Sequence, residues 1–432
     1  MRLMLALLVC VRLFASPQQA ADDASGDPKE RAKAVREYAK QAGPELIPKL
    51  VPYLHDTDTG VRIEAVKAII SIGGRTTLEP LIAATKDPDP EVQIRATDGI
   101  VNFYVPGYAK EGGLSASLRR VGSAIKAKFD EQNAIVIDPF LHILPEIPPA
   151  LGALVRGASS MESRANAARA LGVLRGKDAI EDLYDALRSK NTNLMYESIM
   201  ALQKIRDPEA GPRIRFLLRD LDEKVQLAAV ETTGLLQNLR SAPDLRDVLE
   251  HDPSKNVRRA ALTSLAMLPV EDNRSDYARY FRDRDDAMRA AAAEGYARLK
   301  NPADRPMLEK AFADERKQNP RLSIAFALVN VGDHDFTEFS PLRYLVNTLN
   351  TKAWRGVARA FLTELCRAVE IRQTVYAVMN SGTKDERTQL AQVLAVTGDR
   401  DTLQYLQPLA SDPDPDVAAE GLKALRTLKA RL

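Results

Sequence analysis

Apolar residues recur along the chain with a period of about 31 residues, a length typical of stacked repeats. One position of this pattern, which we name the marker position, occurs eleven times. Successive marker positions lie close to one period apart, except that the step from Val92 to Ser163 exceeds two periods. The marker residues are Val61, Val92, Ser163, Leu194, Val225, Val257, Met288, Pro320, Trp354, Glu386 and Val417.

Each period predicts two helices joined by a turn. Residues four, eight and eleven positions after the marker are mostly apolar and share one face of a helix. The first of them is small in nine of the eleven periods, which lets a neighbouring helix approach closely. Apolar residues eleven and seven positions before the marker predict the preceding helix. Because one helix pair cannot bury its apolar face alone, neighbours must stack. The sequence therefore predicts an all-α fold, a right-handed α-solenoid of about eleven helix-turn-helix repeats.

The turn between the two helices carries paired acids, most clearly in two nearly identical "DPDP" segments. Asp89 and Asp414 are placed to cap a helix, with proline at the first helical position. A calcium loop is the alternative, but such a loop needs an acid at its twelfth position. Lys423 stands there in the second segment, and Lys67 in the related segment that begins at Asp56. We therefore favour turn and cap.

An arginine follows the marker in seven of the eleven repeats. The turns contain aspartates such as Asp89, Asp252 and Asp414. Together, the arginines and aspartates predict a ladder of hydrogen bonds between adjacent repeats. The alternative is an arginine-lined groove for an anionic partner. The seven residues are Arg62, Arg164, Arg258, Arg289, Arg321, Arg355 and Arg387.

The motif "DxDxxVRxxAxxAL", as in Asp56–Ile69, Asp252–Leu265 and Asp283–Tyr296, resembles the HEAT-repeat family. The period matches the short, armadillo-like form also seen in phycobilisome-lyase-like repeat proteins. The resemblance covers roughly residues 44–103 and 149–432. It implies a scaffold or adaptor that binds other proteins, because most members of the family have such roles.

Two enzymatic relatives define the alternative function. Deoxyhypusine hydroxylase, which has the same architecture, holds two irons with His-Glu pairs. None of the four histidines here is followed by glutamate, namely His55, His142, His251 and His334. Bilin lyase-type activity has no short motif and stays open. We predict no catalytic residue, cofactor or metal, and we expect Cys366 to pack in the core.

The N-terminus predicts export. Arg2 precedes the apolar run Leu3–Val11, and small residues follow at Ala20 and Ala21, as in a secretory signal. The run is too short to span a membrane. Cleavage after Ala21 would leave 59 basic and 59 acidic residues, and this balance argues against nucleic-acid binding. We expect a secreted or periplasmic, monomeric protein of a bacterium.

The long interval between markers predicts an irregular insertion at residues 104–148. We expect a signal peptide at 1–21, a linker and capping helix at 22–43, and repeats at 44–103 and 149–432. The insertion contains a basic amphipathic helix, which could close the stack, contact a protein partner or lie on an anionic membrane surface. Its basic residues are Arg119, Arg120, Lys126 and Lys128.

A second candidate surface lies on the opposite face of the second helices. Tyr196, Met200, Leu322 and Phe326 would form an apolar binding patch if they are exposed, or pack against the next repeat if they are not. The function predicted from the sequence is a non-catalytic protein-binding scaffold. The alternatives are a peripheral membrane adaptor seated through the insertion and, less favoured, a lyase-type enzyme or helper.

Overall fold

The computed structural model describes residues 26–41, 43–108, 135–138 and 141–432. Within these ranges the regular structure is helical, with α-helices joined by short 3₁₀-helices and no β-strand. None of the described helices is long and apolar enough to cross a membrane. The predicted all-α solenoid class is confirmed. The predicted signal peptide at 1–21 lies outside the described residues.

The chain divides into two compact units, Met1–Ile205 and Arg206–Leu432. In the first unit we number the described helices α1 to α9. They are α1 (Pro28–Gln41), α2 (Ile47–Leu50), α3 (Thr59–Ile72), α4 (Leu78–Ala84), α5 (Pro90–Tyr104), α6 (Ile147–Gly157), α7 (Met161–Val173), α8 (Ile180–Ala186) and α9 (Thr192–Ile205), with 3₁₀-helices at Pro44–Leu46, Val51–His55, Arg75–Thr77 and Lys177–Ala179.

The second unit continues the same alternation of helices. It contains α10 (Ala210–Ile214), α11 (Glu223–Leu235), α12 (Ala242–His251), α13 (Lys255–Ala266), α14 (Arg274–Tyr280), α15 (Asp286–Leu299), α16 (Arg305–Asp314), α17 (Gln318–Asn330), α18 (Pro341–Thr348), α19 (Arg355–Leu365), α20 (Val369–Ser381), α21 (Lys384–Thr397), α22 (Leu403–Leu406) and α23 (Pro415–Arg431). Its 3₁₀-helices are Arg215–Arg219, Leu239–Ser241, Glu271–Asn273, Pro302–Asp304, Arg400–Thr402 and Pro408–Ser411.

The second helices of the repeats form a row in each unit. In the first unit α3, α5, α7 and α9 pack successively against one another, and α1 packs on α3. In the second unit the row runs from α11 through α13, α15, α17, α19 and α21 to α23. Nearly all marker residues are buried, as are the residues four positions after them. Repeat therefore packs on repeat along the second helices.

Small residues set how closely neighbouring elements approach. A Cβ atom on Gly172 of α7 would lie 2.7 Å from the Cα of Ala201 on α9. A Cβ atom on Gly421 of α23 would lie 2.7 Å from the carbonyl carbon of Leu409. Both distances are below ordinary van der Waals contact, so a larger residue at either position would force the backbones apart.

Aspartate caps start the second helices. Asp89 accepts hydrogen bonds from the backbone amides of Glu91 (2.9 Å) and Val92 (3.2 Å) at the start of α5. Asp414 accepts from Asp416 (2.9 Å) and Val417 (3.3 Å) at the start of α23. The paired acids therefore build turns and caps rather than a calcium loop.

The insertion is described only at its two ends. Tyr108 is buried, the Ile137 amide donates to the Val173 carbonyl (2.9 Å), and the Leu144 amide donates to the Tyr104 hydroxyl (3.0 Å). The predicted basic helix, with Arg119, Arg120, Lys126 and Lys128, lies outside the described residues.

Candidate interaction surfaces

Four of the seven predicted ladder arginines contact a carboxylate of the next repeat. The Arg62 Nε atom lies 2.7 Å from Asp87, the Arg289 Nε atom 2.8 Å from Glu315, and one Arg355 terminal nitrogen 2.6 Å from Asp385. Arg387 contacts Asp412 in the same way. These pairs tie adjacent turns together, and we name them the turn ladder.

The ladder prediction is wrong for three arginines. Arg164 donates to the Val155 carbonyl (2.7 Å) and Arg258 to the Asp252 carbonyl (2.6 Å), both within their own repeat. Arg321 instead lies between the rings of Phe312 (4.8 Å) and Tyr344 (5.1 Å). The turns that follow Arg164 and Arg321 contain no acid at the corresponding position, and after Arg258 the neighbouring Arg259 pairs with Asp285 instead.

The acids also differ from the prediction in their roles. In several pairs the first acid accepts from the preceding repeat, as Asp87 and Asp412 do, and the second caps the helix. In the pair Asp283 and Asp285 the cap Asp285 is itself the acid that pairs with the preceding repeat, through Arg259. Asp89 and Asp414 are caps, although Asp414 also contacts Lys384 Nζ (2.9 Å). Asp252 is a ladder acceptor, but its donor is the Gln226 amide (2.7 Å) rather than an arginine.

A second row of ion pairs joins the first helices of the second unit. Arg246 contacts Asp276 (3.1 Å), and Arg274 contacts Asp304 (2.7 Å). Two further pairs complete the row, Arg215 with Asp244 (2.5 Å) and Arg305 with Asp333 (3.7 Å). Sequence reasoning missed this row, although its signal is an arginine followed by an aspartate nearly one repeat period later. We name these pairs the first-helix row.

Burial and hydrogen bonding compete at the ladder carboxylates. Burial alone would raise the pKa of Glu315, but hydrogen bonds from Arg289 and the Lys317 amide hold that pKa below its ordinary value. Asp412 accepts from the Asp414 amide and from Arg387, and both contacts lower its pKa. These carboxylates are therefore charged at neutral pH, as the ion pairs require.

The first unit buries a polar cluster between α5, α7 and α9. Arg169 donates to Glu197 from two nitrogens, at 2.6 and 3.1 Å, and Asn166 donates to Asp98 (3.0 Å). Each of these residues is at most 6% exposed. Lys204 is 9% exposed beside them, and burial lowers its pKa to about 8.

The second unit contains a comparable cluster around Arg298. Its guanidinium contacts Glu294 (3.2 Å) on α15 and Glu364 (2.9 Å) on α19. Burial raises the pKa of Glu294, and the nearby positive charge of Arg298 offsets part of this increase. The bridge spans the intervening helix α17, and the Arg298 guanidinium lies 5.3 Å from the centre of the Phe326 ring. The Phe326 ring also stacks on the ring of Phe361, with 4.5 Å between the ring centres.

Phe326 and Leu322 are both completely buried. Of the two alternatives for these residues, an exposed binding patch is therefore excluded, and Phe326 packs against the neighbouring second helices through Arg298 and Phe361. Tyr196 and Met200 are half-buried on α9 of the first unit. Leu322 and Phe326 belong to the second unit.

A family model described as HEAT repeats matches residues 18–100, 148–234, 212–275 and 242–329. These matches cover more than half of the chain. The chain belongs to the HEAT-repeat family. The predicted resemblance is thereby confirmed, and no curated protein sequence gives a significant match.

Solved HEAT-like structures resemble the chain at low identity. The complex of CpcE and CpcF of phycocyanin lyase from Nostoc sp. PCC7120 is 18% identical, with 63% of this chain and 93% of that chain covered and a TM-score of 0.36. Human deoxyhypusine hydroxylase in complex with glycerol is 19% identical (66% and 96% covered, TM-score 0.28). Kap121p bound to Pho4p is 14% identical (98% and 58% covered, TM-score 0.44). Similarity at this level does not extend to activity or partners.

The HEAT repeats expose a few large apolar side chains. Phe216 is 54% exposed in the second unit, where its neighbour Arg215 belongs to the first-helix row. Phe339 is 84% exposed in the loop before α18. Sequence periodicity marks neither residue, because both lie outside the periodic positions.

The described part of the chain contains few groups suited to metal or thiol chemistry. No group of three or more His, Cys, Asp or Glu side chains there is arranged to hold a metal ion. Cys366 is completely buried, and burial raises its pKa to about 12. Its thiol is therefore protonated and inaccessible, which fits packing rather than nucleophilic chemistry.

Proposed function

We propose that this HEAT-repeat chain is a non-catalytic protein-binding scaffold that acts outside the cytoplasm. The observation that carries the proposal is the linkage of successive repeats by ion pairs. The turn ladder joins repeats in both units, for example through Arg62–Asp87 and Arg289–Glu315. A surface held in this way loses little conformational freedom on binding, and pre-organisation of this kind favours recognition of a large partner.

The charge balance also supports a protein partner. Without residues 1–21 the chain has equal numbers of acidic and basic residues, so it has no net positive charge for nucleic acid or an anionic membrane. The carboxylates and guanidiniums of the described repeats mostly pair with each other. Recognition would then depend on shape and on a small number of exposed side chains.

Affinity capture tests the scaffold function. Tagged residues 22–432 are incubated with an envelope extract, and the recovered proteins are quantified against the tag alone. We expect a specific protein that remains bound in the presence of EDTA, because the proposal involves no metal. The proposal fails if the bait enriches nothing over the tag, or if recovery depends on a chelatable ion.

Export is tested separately in cells that produce the full chain. Mass spectrometry of the N-terminus after fractionation should find the mature chain starting at Asp22 in the envelope or medium. An intact Met1 terminus in the cytoplasm would contradict the extracytoplasmic part of the proposal and leave the scaffold part standing.

A further inference from the structure

The loop between α17 and α18 presents an aromatic side chain to solvent. Phe339 is 84% exposed, whereas Phe336 in the same loop is half-buried and lies 5.3 Å from the guanidinium of Arg343. Apart from the interval that holds the insertion, the interval from Pro320 to Trp354 is the longest between markers, and it contains this loop. Extra residues in a solenoid repeat form loops on one face, which is often the binding face.

The backbone at Phe339 is strained. Its φ angle is 76°, in the left-handed region that favours glycine. The other non-glycine residues of the described chain with positive φ lie one or two residues after the last residue of a helix, where this conformation is a normal helix end: Arg175, Arg206, Gln237 and Lys300. Phe339 instead precedes Ser340, the N-cap of α18. The positive φ angle of Phe339 does not end a helix. Backbone strain of this kind at an exposed aromatic residue points to a functional role.

The rest of the loop is held in place. The Asp333 amide donates to the Leu328 carbonyl (3.0 Å), and the Ser340 amide donates to the Thr337 carbonyl (3.1 Å). Asp333 also lies 3.7 Å from Arg305. Phe339 is therefore presented by an ordered loop, and a partner would not have to order it on binding.

The loop that contains Phe339 is acidic in sequence, with three acids and one histidine among residues 332–340. Asp335 and Glu338 are both exposed, and residues 332–340 contain no lysine or arginine. Hydrogen bonds from the Thr337 hydroxyl and amide lower the pKa of Asp335, so this carboxylate is charged at neutral pH. The basic side chains that contact the loop, Arg305 and Arg343, are engaged with Asp333 and Phe336. An aromatic anchor flanked by two exposed carboxylates is complementary to an apolar pocket with a basic rim.

We propose that Phe339, with Asp335 and Glu338, is the contact through which the scaffold anchors a protein partner that has a basic-rimmed apolar pocket. The inference rests on the proposed function and names the recognition element. Phe339 enters the pocket, and the two carboxylates pair with lysine or arginine side chains on its rim. Aromatic anchors of this kind contribute much of the binding energy of protein interfaces.

Site-specific photo-crosslinking tests the contact. The full chain is produced in its host with p-benzoylphenylalanine in place of Phe339, and a matched chain has the same substitution at Phe216. We expect an adduct with the protein captured by wild-type residues 22–432, attached beside lysine or arginine residues. The Phe216 chain should not give this adduct. An adduct with a second copy of this chain, with lipid, or equally from Phe216 overturns the proposal.

Charge reversal at the two exposed carboxylates provides a second test of the contact. Asp335→Lys with Glu338→Lys should lower the yield of the adduct by about tenfold, the effect of losing roughly 1.4 kcal/mol of binding. Phe339→Ala should reduce capture similarly, while Phe216→Ala should not. The Phe339 and Phe216 variants should melt as the wild type does, since the changed side chains are exposed. Because Asp335→Lys also removes the hydrogen bonds from Thr337, Glu338→Lys alone is the control that keeps them, and it should lower the adduct yield in the same direction. Unchanged capture by the Phe339 and charge-reversed variants overturns the inference but not the scaffold function. No capture by the wild type overturns both.

Discussion

Phe339 and Lys204 each have a local arrangement that costs folding free energy. Phe339 is an exposed aromatic residue with a positive φ angle. Lys204 is a lysine with 9% exposure inside a polar cluster. Neither arrangement stabilises the fold, because strain and buried charge both oppose it. Each therefore gives a measurable stability change of a definite sign.

Phe339→Asn should stabilise the protein. Asparagine tolerates the left-handed conformation, and the exposed ring contributes little packing, so we expect the free energy of unfolding to rise by about 0.5–1 kcal/mol. Urea unfolding measures the change. Phe216→Asn is the control, because Phe216 has no positive φ angle and should show no gain. A clear loss of stability in Phe339→Asn would show that the ring packs against the fold.

Lys204 should make stability depend on pH above neutrality. Burial lowers its pKa from 10.5 to about 8, so between these values the unfolded chain binds more protons than the folded chain. Folding stability must therefore rise with pH in this window. The cost of burying the charged Lys204 ammonium is fully present below pH 8. Relative to Lys204→Met, the wild type should gain about 1–2 kcal/mol between pH 7 and about 9.5. Parallel curves for the two proteins would contradict the assignment.

At the scale of the element, the turn before a second helix can have two separable functions. In the turn before α5 the first acid binds the side chain of the preceding repeat, and the second starts the helix. Asp87 shows the first function, since it accepts from Arg62 and from the Asp89 amide (2.8 Å). Its side chain is 6% exposed, so removing it leaves the Nε atom of the nearly buried Arg62 guanidinium without its acceptor, while the terminal nitrogens keep the Asp56 carbonyl and the Thr59 hydroxyl.

Asp87→Ala should therefore lower the free energy of unfolding by about 1–3 kcal/mol, the range for an unsatisfied buried group. Asp385→Ala is the control, because the Arg355–Asp385 pair also joins adjacent repeats, but Asp385 lies in the first turn of α21 and the two side chains are 27% and 44% exposed. The control should lose less than about 1 kcal/mol. Thermal and urea unfolding measure both changes. Equal losses would show that burial does not determine the strength of the ladder.

The periodic pattern predicted the elements because their causes are local. Caps such as Asp89, the small residues on the second helices and the apolar spacings all act within one repeat or between neighbours. A further local signal was overlooked, the left-handed residue that ends many second helices twelve positions after the marker. Gly73, Arg175 and Lys300 occupy it.

Two of the wrong predictions have a common cause, which is that the contacts of Arg321 and Phe326 come in part from neighbouring repeats. Arg321 lacks a carboxylate because the following turn has none, and its aromatic neighbours lie on two first helices. Phe326 is buried because Arg298 and Glu364 meet across the helix that carries it. The exposure of Phe339 depends on how one loop folds. None of these contacts follows from a single repeat read alone.

At the scale of the whole molecule, each compact unit is a stack of HEAT repeats whose neighbours are joined by ion pairs. We propose that a chain of this kind acts by holding other molecules. The central claim is therefore that the chain forms stable complexes without changing its partner chemically. A scaffold leaves its partner chemically unchanged, whereas a lyase-type enzyme or helper would modify it.

The most direct test is intact-mass spectrometry of a reconstituted complex. Purified residues 22–432 are mixed with the protein they capture, first in equal amounts and then with that protein in excess, without added metal or cofactor. The account predicts a complex of fixed stoichiometry in which the masses of both chains are unchanged. A change in the mass of the partner beyond the amount of chain present would show turnover, and would contradict a non-catalytic scaffold.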